Sequence, residues 1–372
     1  MALLGIGAAM MTSSGMGIIG GTLEGKLKNR AIAIVGGGQG IGFGLGLVCA
    51  GFLCDLHRGW RWIFVVQACL GAIFVLLGWA SVPAEGERYN RALDLPGASL
   101  CVVSLLLLTF SLSHSQNVGW KVPYIPALFA LSLVLLAAFI YWEHIAEKRG
   151  DSVLLKIGMF KNKQLCAFFV LMFAMWWNFN VLQYLSTVYF QNVQGLSPVK
   201  TAIRFIPEAI ADFVVNVSTG WIIEHIPGQW LNMFGILTSM TASVLFAIIN
   251  PAVSFWRNAF WVTVLMTGAD TIYTVGSLYV LTSMDAQSQA LAGGLFLTFT
   301  RLATSIGLAV SSAVATAVSR HQVLPSSLLR GYHAAGWVCF AASCVGLAVN
   351  VGALWGIGLL VAEEREELSE KA

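Results

Sequence analysis

Charge is what this sequence has least of. Only 10% of its 372 residues are Asp, Glu, Lys or Arg, against roughly 25% in a soluble domain, while 57% are hydrophobic. An ordinary soluble globule is excluded. The apolar residues fall in stretches of about 20, the length a helix needs to cross a hydrocarbon core of about 30 Å. The seven cysteines (49, 54, 69, 101, 166, 339 and 344) contain no C-x-x-C pair and no histidine at zinc spacing, so they read as small core residues and not as a metal module. The six histidines, at 57, 114, 144, 225, 321 and 333, are scattered. No metal site and no base oriented by a carboxylate can be built from them, which excludes an enzyme site. A net charge of +3 without a basic patch excludes a nucleic-acid partner. The start, Met1-Ala2-Leu3, lacks the charged region of a signal peptide, so the first apolar run reads as a membrane helix already under way.

Eleven spans are expected, at 3–21, 31–53, 61–82, 97–114, 122–142, 165–190, 199–223, 230–249, 256–283, 289–318 and 332–362. They define an all-α polytopic membrane protein. Counting Lys and Arg on alternate sides puts twelve with the C-terminal tail (26, 28, 30, 88, 91, 148, 149, 156, 161, 163, 365 and 371) and seven opposite (58, 61, 121, 200, 257, 320 and 330). The richer side is cytoplasmic, which puts the C-terminus inside and the N-terminus outside. The expected organisation is a partial N-terminal bundle over 1–82, two linker helices over 83–143, a cytoplasmic linker over 144–164, a six-helix bundle over 165–362 and a solvated charged tail over 363–372.

Residues 31–64 carry the densest pattern. Glycines at Gly36, Gly40 and Gly44 form one ridge and Gly38, Gly42 and Gly46 the next, four-residue steps that share a helix face. Such ridges let membrane helices approach closely, where packing replaces the hydrophobic effect as the associating force. Trp60, Arg61 and Trp62 follow as an interfacial anchor. Two nucleotide-binding signals fail here. GGTLEGKL at 20–27 has Leu27 where a P-loop needs Ser or Thr, and the glycine run never satisfies G-x-G-x-x-G in register after a strand.

Arg204, Glu208, Asp212 and Asn216 recur at strict four-residue intervals, one polar stripe on the seventh span. Ionisable groups at membrane depth face a bundle interior or wet cavity and mark a substrate or proton path. Arg204 and Glu208 also fit a structural ion pair beside Pro207. Asp212 lies two turns beyond that cation and is the candidate for proton exchange. Asp270 and Arg301, each in mid-span, can neutralise one another across neighbouring helices. Asn178, Asn180, Gln183 and Tyr184, beside Trp176 and Trp177, supply either hydrogen-bonding groups for an amphipathic solute or glue between helices. Ala303, Gly307, Ser311 and Ala315 form a further packing ridge.

With these residues in view the chain resembles a fungal member of the major facilitator superfamily, specifically the 14-helix drug:proton antiporter branch near the aminotriazole-resistance type. The likeness rests on the glycine-rich span running into GFLCDLHRGWRWIF, on LDLPGASL at 93–100, VGW at 118–120, GLSPVKTAIRFIP at 195–207 and GGLFLTFTRLATSIGLA at 293–309, and covers essentially the whole chain. In that alignment the first span takes the place of the family's fourth helix, which implies three further helices before it. Met1 and Leu4 stand where the family's R-x-x-Q-G motif has Arg and Gln, and Gly40 or Leu47 replaces the proline of its antiporter motif. The family's gate loop survives as GWIIEHIPGQW, with Gly220, Glu224, His225 and Gly228 in the motif positions.

The resemblance implies two helical bundles rocking around a midplane site, with the glycine helix facing the stripe helix. It implies proton-coupled, multidrug-type efflux of small amphipathic or cationic solutes, by a monomer in the plasma or vacuolar membrane. The only partners are solute and lipid bilayer, and a proton gradient stands in place of any cofactor. The competing expectation is a transport-incompetent form of such a transporter, a fragment or a gene read from the wrong start.

Overall fold

A computed structural model describes residues 5–8, 10–11, 14–15, 18–19, 25–54, 59–81, 94–149, 153, 160–223, 225–282, 289–319 and 325–355. Every regular element among them is helical. The helices are α1 (Gly25–Cys54), α2 (Gly59–Ser81), α3 (Leu95–Val118), α4 (Tyr124–Arg149), α5 (Lys163–Val188), α6 (Pro198–Ile222), α7 (Gly228–Ala247), α8 (Ala259–Leu265), α9 (Gly268–Thr282), α10 (Gln289–Ser319) and α11 (Pro325–Ala353). Among the described residues seven are long and apolar enough to cross a membrane: α2, α3, α4, α5 with its extension, α7, α10 and α11. The described residues of the first expected span, 3–21, are helical. The connection 82–93 and the tail 363–372 lie outside the described residues, and the linker 144–164 lies partly outside them.

Local chemistry sets the helix ends. Asp94 caps α3 by accepting from the Gly97 N–H at 2.9 Å, and Gly119 ends it at φ +83°, a left-handed conformation glycine adopts without a Cβ clash. Asn162 caps α5 by accepting from Gln164 and Leu165. Beyond Val188 the chain continues as a π-turn, Tyr189–Val193, then reverses at Gly195 (φ +65°) into α6, where Ser197 caps Lys200 and Pro198 occupies the first turn.

One expected helix is broken. The span 256–283 consists of a 3-10 turn (Phe255–Arg257), α8 and α9, interrupted at Met266 and Thr267. There the Thr267 hydroxyl donates to the Val264 carbonyl at 2.7 Å, and Gly268 presses on Gly235 and Thr238 of α7 so closely that a Cβ would overlap the Thr238 hydroxyl. The break starts α9 afresh and places Asp270 in its first turn.

The strongest packing in the molecule joins α1 to α6, the contact expected between the glycine and stripe helices. The two run antiparallel, with Gly51 beside Val199 and Ala202 and Gly44 beside Ala209. A Cβ on Gly51 would stand 3.2 Å from the Val199 Cα, and one on Gly44 would collide with the Ala209 methyl. α6 packs further on α8, α9 and the π-turn, and the apolar faces of α5, α7, α9, α10 and α11 form two core clusters. One is centred on Phe168, Met172, Met175 and Ile272, the other on Tyr189, Phe190, Phe205 and Phe246. The α3–α4 hairpin rests on α10 through Leu108, Leu112 and Phe129 against Leu302, Ile306 and Ala309. α2 packs on α1 and is otherwise exposed. The cysteines depart from expectation, since among the described ones only Cys339 is buried, while Cys49 and Cys69 are exposed on α1 and α2.

Candidate functional site

The stripe on α6 faces inward. Glu208 (1% exposed), Asp212 (8%) and Asn216 (1%) are buried, and Arg204 is partly exposed. Glu208 Oε1 accepts from the Gln183 side-chain amide of α5 at 2.8 Å. Asp212 Oδ1 accepts from Asn216 Nδ2 at 2.6 Å, and Asn216 Oδ1 in turn accepts from the Thr274 hydroxyl of α9 at 3.0 Å. One turn before Thr274, Asp270 is buried and its carboxyl lies close enough to that of Asp212 to interact electrostatically. Glu208 is near enough to interact electrostatically with both. Its Oε2 and the Asp270 Oδ2 are buried without a hydrogen-bond partner, a costly condition for carboxyl oxygens away from water.

Three carboxyl groups therefore converge from two helices, with amides from α5 and α6 and a hydroxyl from α9 around them. Among the described residues no cation is paired with any of the three. The first turn of α9, where unpaired N–H groups favour negative charge, is the compensating element at Asp270.

Both ion pairs expected from the sequence are absent. Arg204 does not meet Glu208. It donates to Gln194 Oε1 and lies over the rings of Phe190 and Phe255, 5.2 and 5.1 Å from their centroids, because the π-turn brings Phe190 and Gln194 to the guanidinium. Asp270 does not meet Arg301. The buried face of α10 runs through Phe296, Thr300, Ala303, Gly307 and Ser311, which leaves Arg301 exposed while Asp270 turns to α6.

Of the four polar residues on α5, only Gln183 reaches the carboxyls. Asn178 lies five residues earlier, about 140° around a helix turning about 100° per residue. Its amide donates to Ser243 at 2.8 Å, to the Cys339 carbonyl at 3.2 Å and to Ser343, which ties α5 to α7 and α11. Asn180 bonds back to the Trp176 carbonyl of its own helix, and Tyr184 is exposed. The α10 ridge is a packing surface, with the Trp177 indole against Gly307 and Ala315 against Gly331.

The two glycine ridges of α1 separate in role. Gly44 is buried on α6, whereas Gly38, Gly42 and Gly46 have open space before them. Gly40 and Gly36 lie on α1, one and two turns before Gly44, and their surroundings fall outside the described residues. At the gate loop Gly220 and Gly228 are buried at the ends of α6 and α7, and His225 is exposed with Nδ1 3.3 Å from the Trp221 carbonyl. Glu224 lies outside the described residues.

Thr274 and the Asp212–Asp270 contact were not expected. The signal was present, since Asp270 and Thr274 repeat on α9 the four-residue spacing of Asp212 and Asn216 on α6.

The described helices thus form a bundle of membrane-length segments with a carboxyl cluster inside it. The sequence model of the Major Facilitator Superfamily matches residues 1–308, and the chain belongs to that family, one of transporters and not of enzymes. Its relatives include the low affinity ammonium transporter of Saccharomyces cerevisiae, 24% identical over 100% of this chain and 72% of the relative. They include the efflux pump terJ of Aspergillus terreus, 27% identical over 94% and 67%. The aminotriazole resistance protein of Saccharomyces cerevisiae is 22% identical over 91% and 62%, in keeping with the drug-antiporter branch read from the motifs. The chain thus spans about two thirds of the length of these relatives, and it is a multi-pass integral membrane protein.

Proposed function

We propose that this chain carries the coupling half of a proton-driven exporter of small amphipathic or cationic solutes that works by alternating access. The observation that supports the reading most directly is the cluster of Glu208, Asp212 and Asp270, three buried carboxyls with no cation paired to them among the described residues. Burying an uncompensated carboxylate costs several kcal/mol. The cluster is therefore neutralised either by protons or by the positive charge of a solute, and occupancy by one disfavours the other. That mutual exclusion, alternately exposed to the two sides as α1 and α6 rock on each other, is exchange of proton for solute. The names of relatives point the same way: one is an ammonium transporter and another an efflux pump. In this reading the C-terminal tail is cytoplasmic, the membrane is the plasma membrane, the unit is a monomer and the proton gradient is the only energy source.

The test is reconstitution of the chain in proteoliposomes with an imposed pH gradient, following radiolabelled tetraphenylphosphonium. Gradient-driven movement that Asp212→Asn abolishes supports the reading, and undiminished movement in that variant rejects it. No movement by the unmodified chain would favour the transport-incompetent form, a reading supported by the uncovered ridge of Gly38, Gly42 and Gly46.

A further inference from the structure

Arg204 is the one cation on the polar stripe, and it stands one helical turn from a carboxyl it does not touch. Residues four apart on a helix have Cβ atoms about 5–6 Å from each other, so the Arg204 guanidinium can reach Glu208 by side-chain rotation alone. It is held elsewhere, between Phe190 and Phe255 and on Gln194. The holder is itself braced, since Gln194 Nε2 donates to the Tyr189 hydroxyl at 3.1 Å and Tyr189 is 1% exposed. Glu208 in turn uses one oxygen for Gln183 and leaves Oε2 buried and unpartnered. A parked cation and an open carboxyl oxygen, one turn apart, are the two ends of an ion pair not yet made.

The geometry points to Arg204 as a tethered counter-cation of the carboxyl cluster, which leaves its aromatic rest for Glu208 Oε2 when the cluster has neither proton nor solute. The proposal rests on the proton and cation reading of that cluster, and deepens it by naming the group that competes with the solute. It gives the π-turn a role, because the extra residue it inserts is what brings Phe190 and Gln194 over Arg204, and π-turns recur at functional sites. Other charged or titratable groups near by are Asp212 on α6, Asp270 on α9, Tyr189 in the π-turn, Tyr332 and His333 on α11, the latter bonded to the Ile249 carbonyl, and Arg30 of α1, 5.5 Å from the Trp221 ring centroid at the far end of α6. Lys200 and Arg257 are exposed. Glu208 is the nearest carboxyl to Arg204 along α6.

Thermal unfolding of the purified chain in detergent at pH 5 and pH 8 tests the pairing without requiring transport. Arg204→Gln should lower the Tm by about 4 °C more at pH 8 than at pH 5. Arg204→Lys should restore the pH 8 value in part, and Glu208→Gln should remove the pH-dependent difference between Arg204 and Gln. An equal drop at both pH values, or one that persists beside Glu208→Gln, would overturn the proposal. Equilibrium binding of tetraphenylphosphonium supplies the second readout. Removing the internal competitor should tighten binding at pH 8 by about tenfold in Arg204→Gln, and unchanged or weaker binding speaks against it. If the unmodified chain binds no tetraphenylphosphonium, the cation reading of the cluster fails, while the unfolding cycle still decides whether Arg204 answers to Glu208.

Discussion

Asp212 of α6 and Asp270 of α9, separated in sequence by the whole of α7 and α8, bring their carboxyls together inside the bundle. Like charges at such range disfavour one another, so in the proposed exchange the two carboxyls act as one unit. Replacing either by Asn keeps the shape and removes that unit. Asp212→Asn and Asp270→Asn should therefore each lower gradient-driven tetraphenylphosphonium movement at least tenfold, and the double variant should add little to either single one. Transport measured in the three variants checks this, and independent, multiplying losses would show two separate sites.

Gly44 and Gly42 sit two residues apart on α1 and predict opposite outcomes. A side chain on Gly44 must displace the Ala209 methyl of α6, whereas Gly42 faces open space. Gly44→Leu should destabilise the chain by about 1–3 kcal/mol through overpacking. Gly42→Leu should stay within about 0.5 kcal/mol. Tm values of the two variants in the same detergent make the comparison.

Helix positions were legible because apolar stretches and four-residue glycine steps are local patterns, while the meeting of α1 with α6 was legible only through the family resemblance. The polar partners were not. Arg204 and Glu208 share a stripe, and that spacing permits an ion pair, but the π-turn at Tyr189–Val193 offers the guanidinium two rings and an amide. Nothing in the local spacing of that segment marks a π-turn. Asp270 and Arg301 are opposite charges in successive expected spans, yet charge does not set helix rotation. The face of α10 is chosen by Ala303, Gly307 and the Trp177 indole, and Arg301 is carried outward. The break before α9 escaped for a similar reason, since the residues 256–283 are apolar enough on average to read as one span and the interruption coincides with the approach of α7.

Asn178 ties α5 to α7 and α11. Its amide serves three acceptors on two other helices, and Asn178→Leu would leave Ser243, Ser343 and the Cys339 carbonyl to re-pair in a buried setting. The expected cost is about 1–3 kcal/mol. Transport per folded molecule should stay near that of the unmodified chain. Gln183→Leu predicts the reverse pattern, a smaller loss of Tm with a larger loss of transport, because Gln183 holds Glu208. Tm and initial rate, measured together on both variants, separate the two roles.

Gly268 decides where α9 begins. A Cβ there would overlap the Thr238 hydroxyl and lie 2.8 Å from the Gly235 carbonyl, so α7 and α9 would have to part at the point that sets Asp270 against Asp212. Gly276, two turns along the same helix, has its nearest neighbour, Phe296, at 3.5 Å, which is ordinary contact. Gly268→Ala should cost about 1–3 kcal/mol and lower gradient-driven transport, while Gly276→Ala should be stability-neutral or slightly favourable, since alanine is the better helix former by about 1 kcal/mol. If the two variants behaved alike in Tm and transport, the close crossing of α7 and α9 would not be what positions the carboxyl pair.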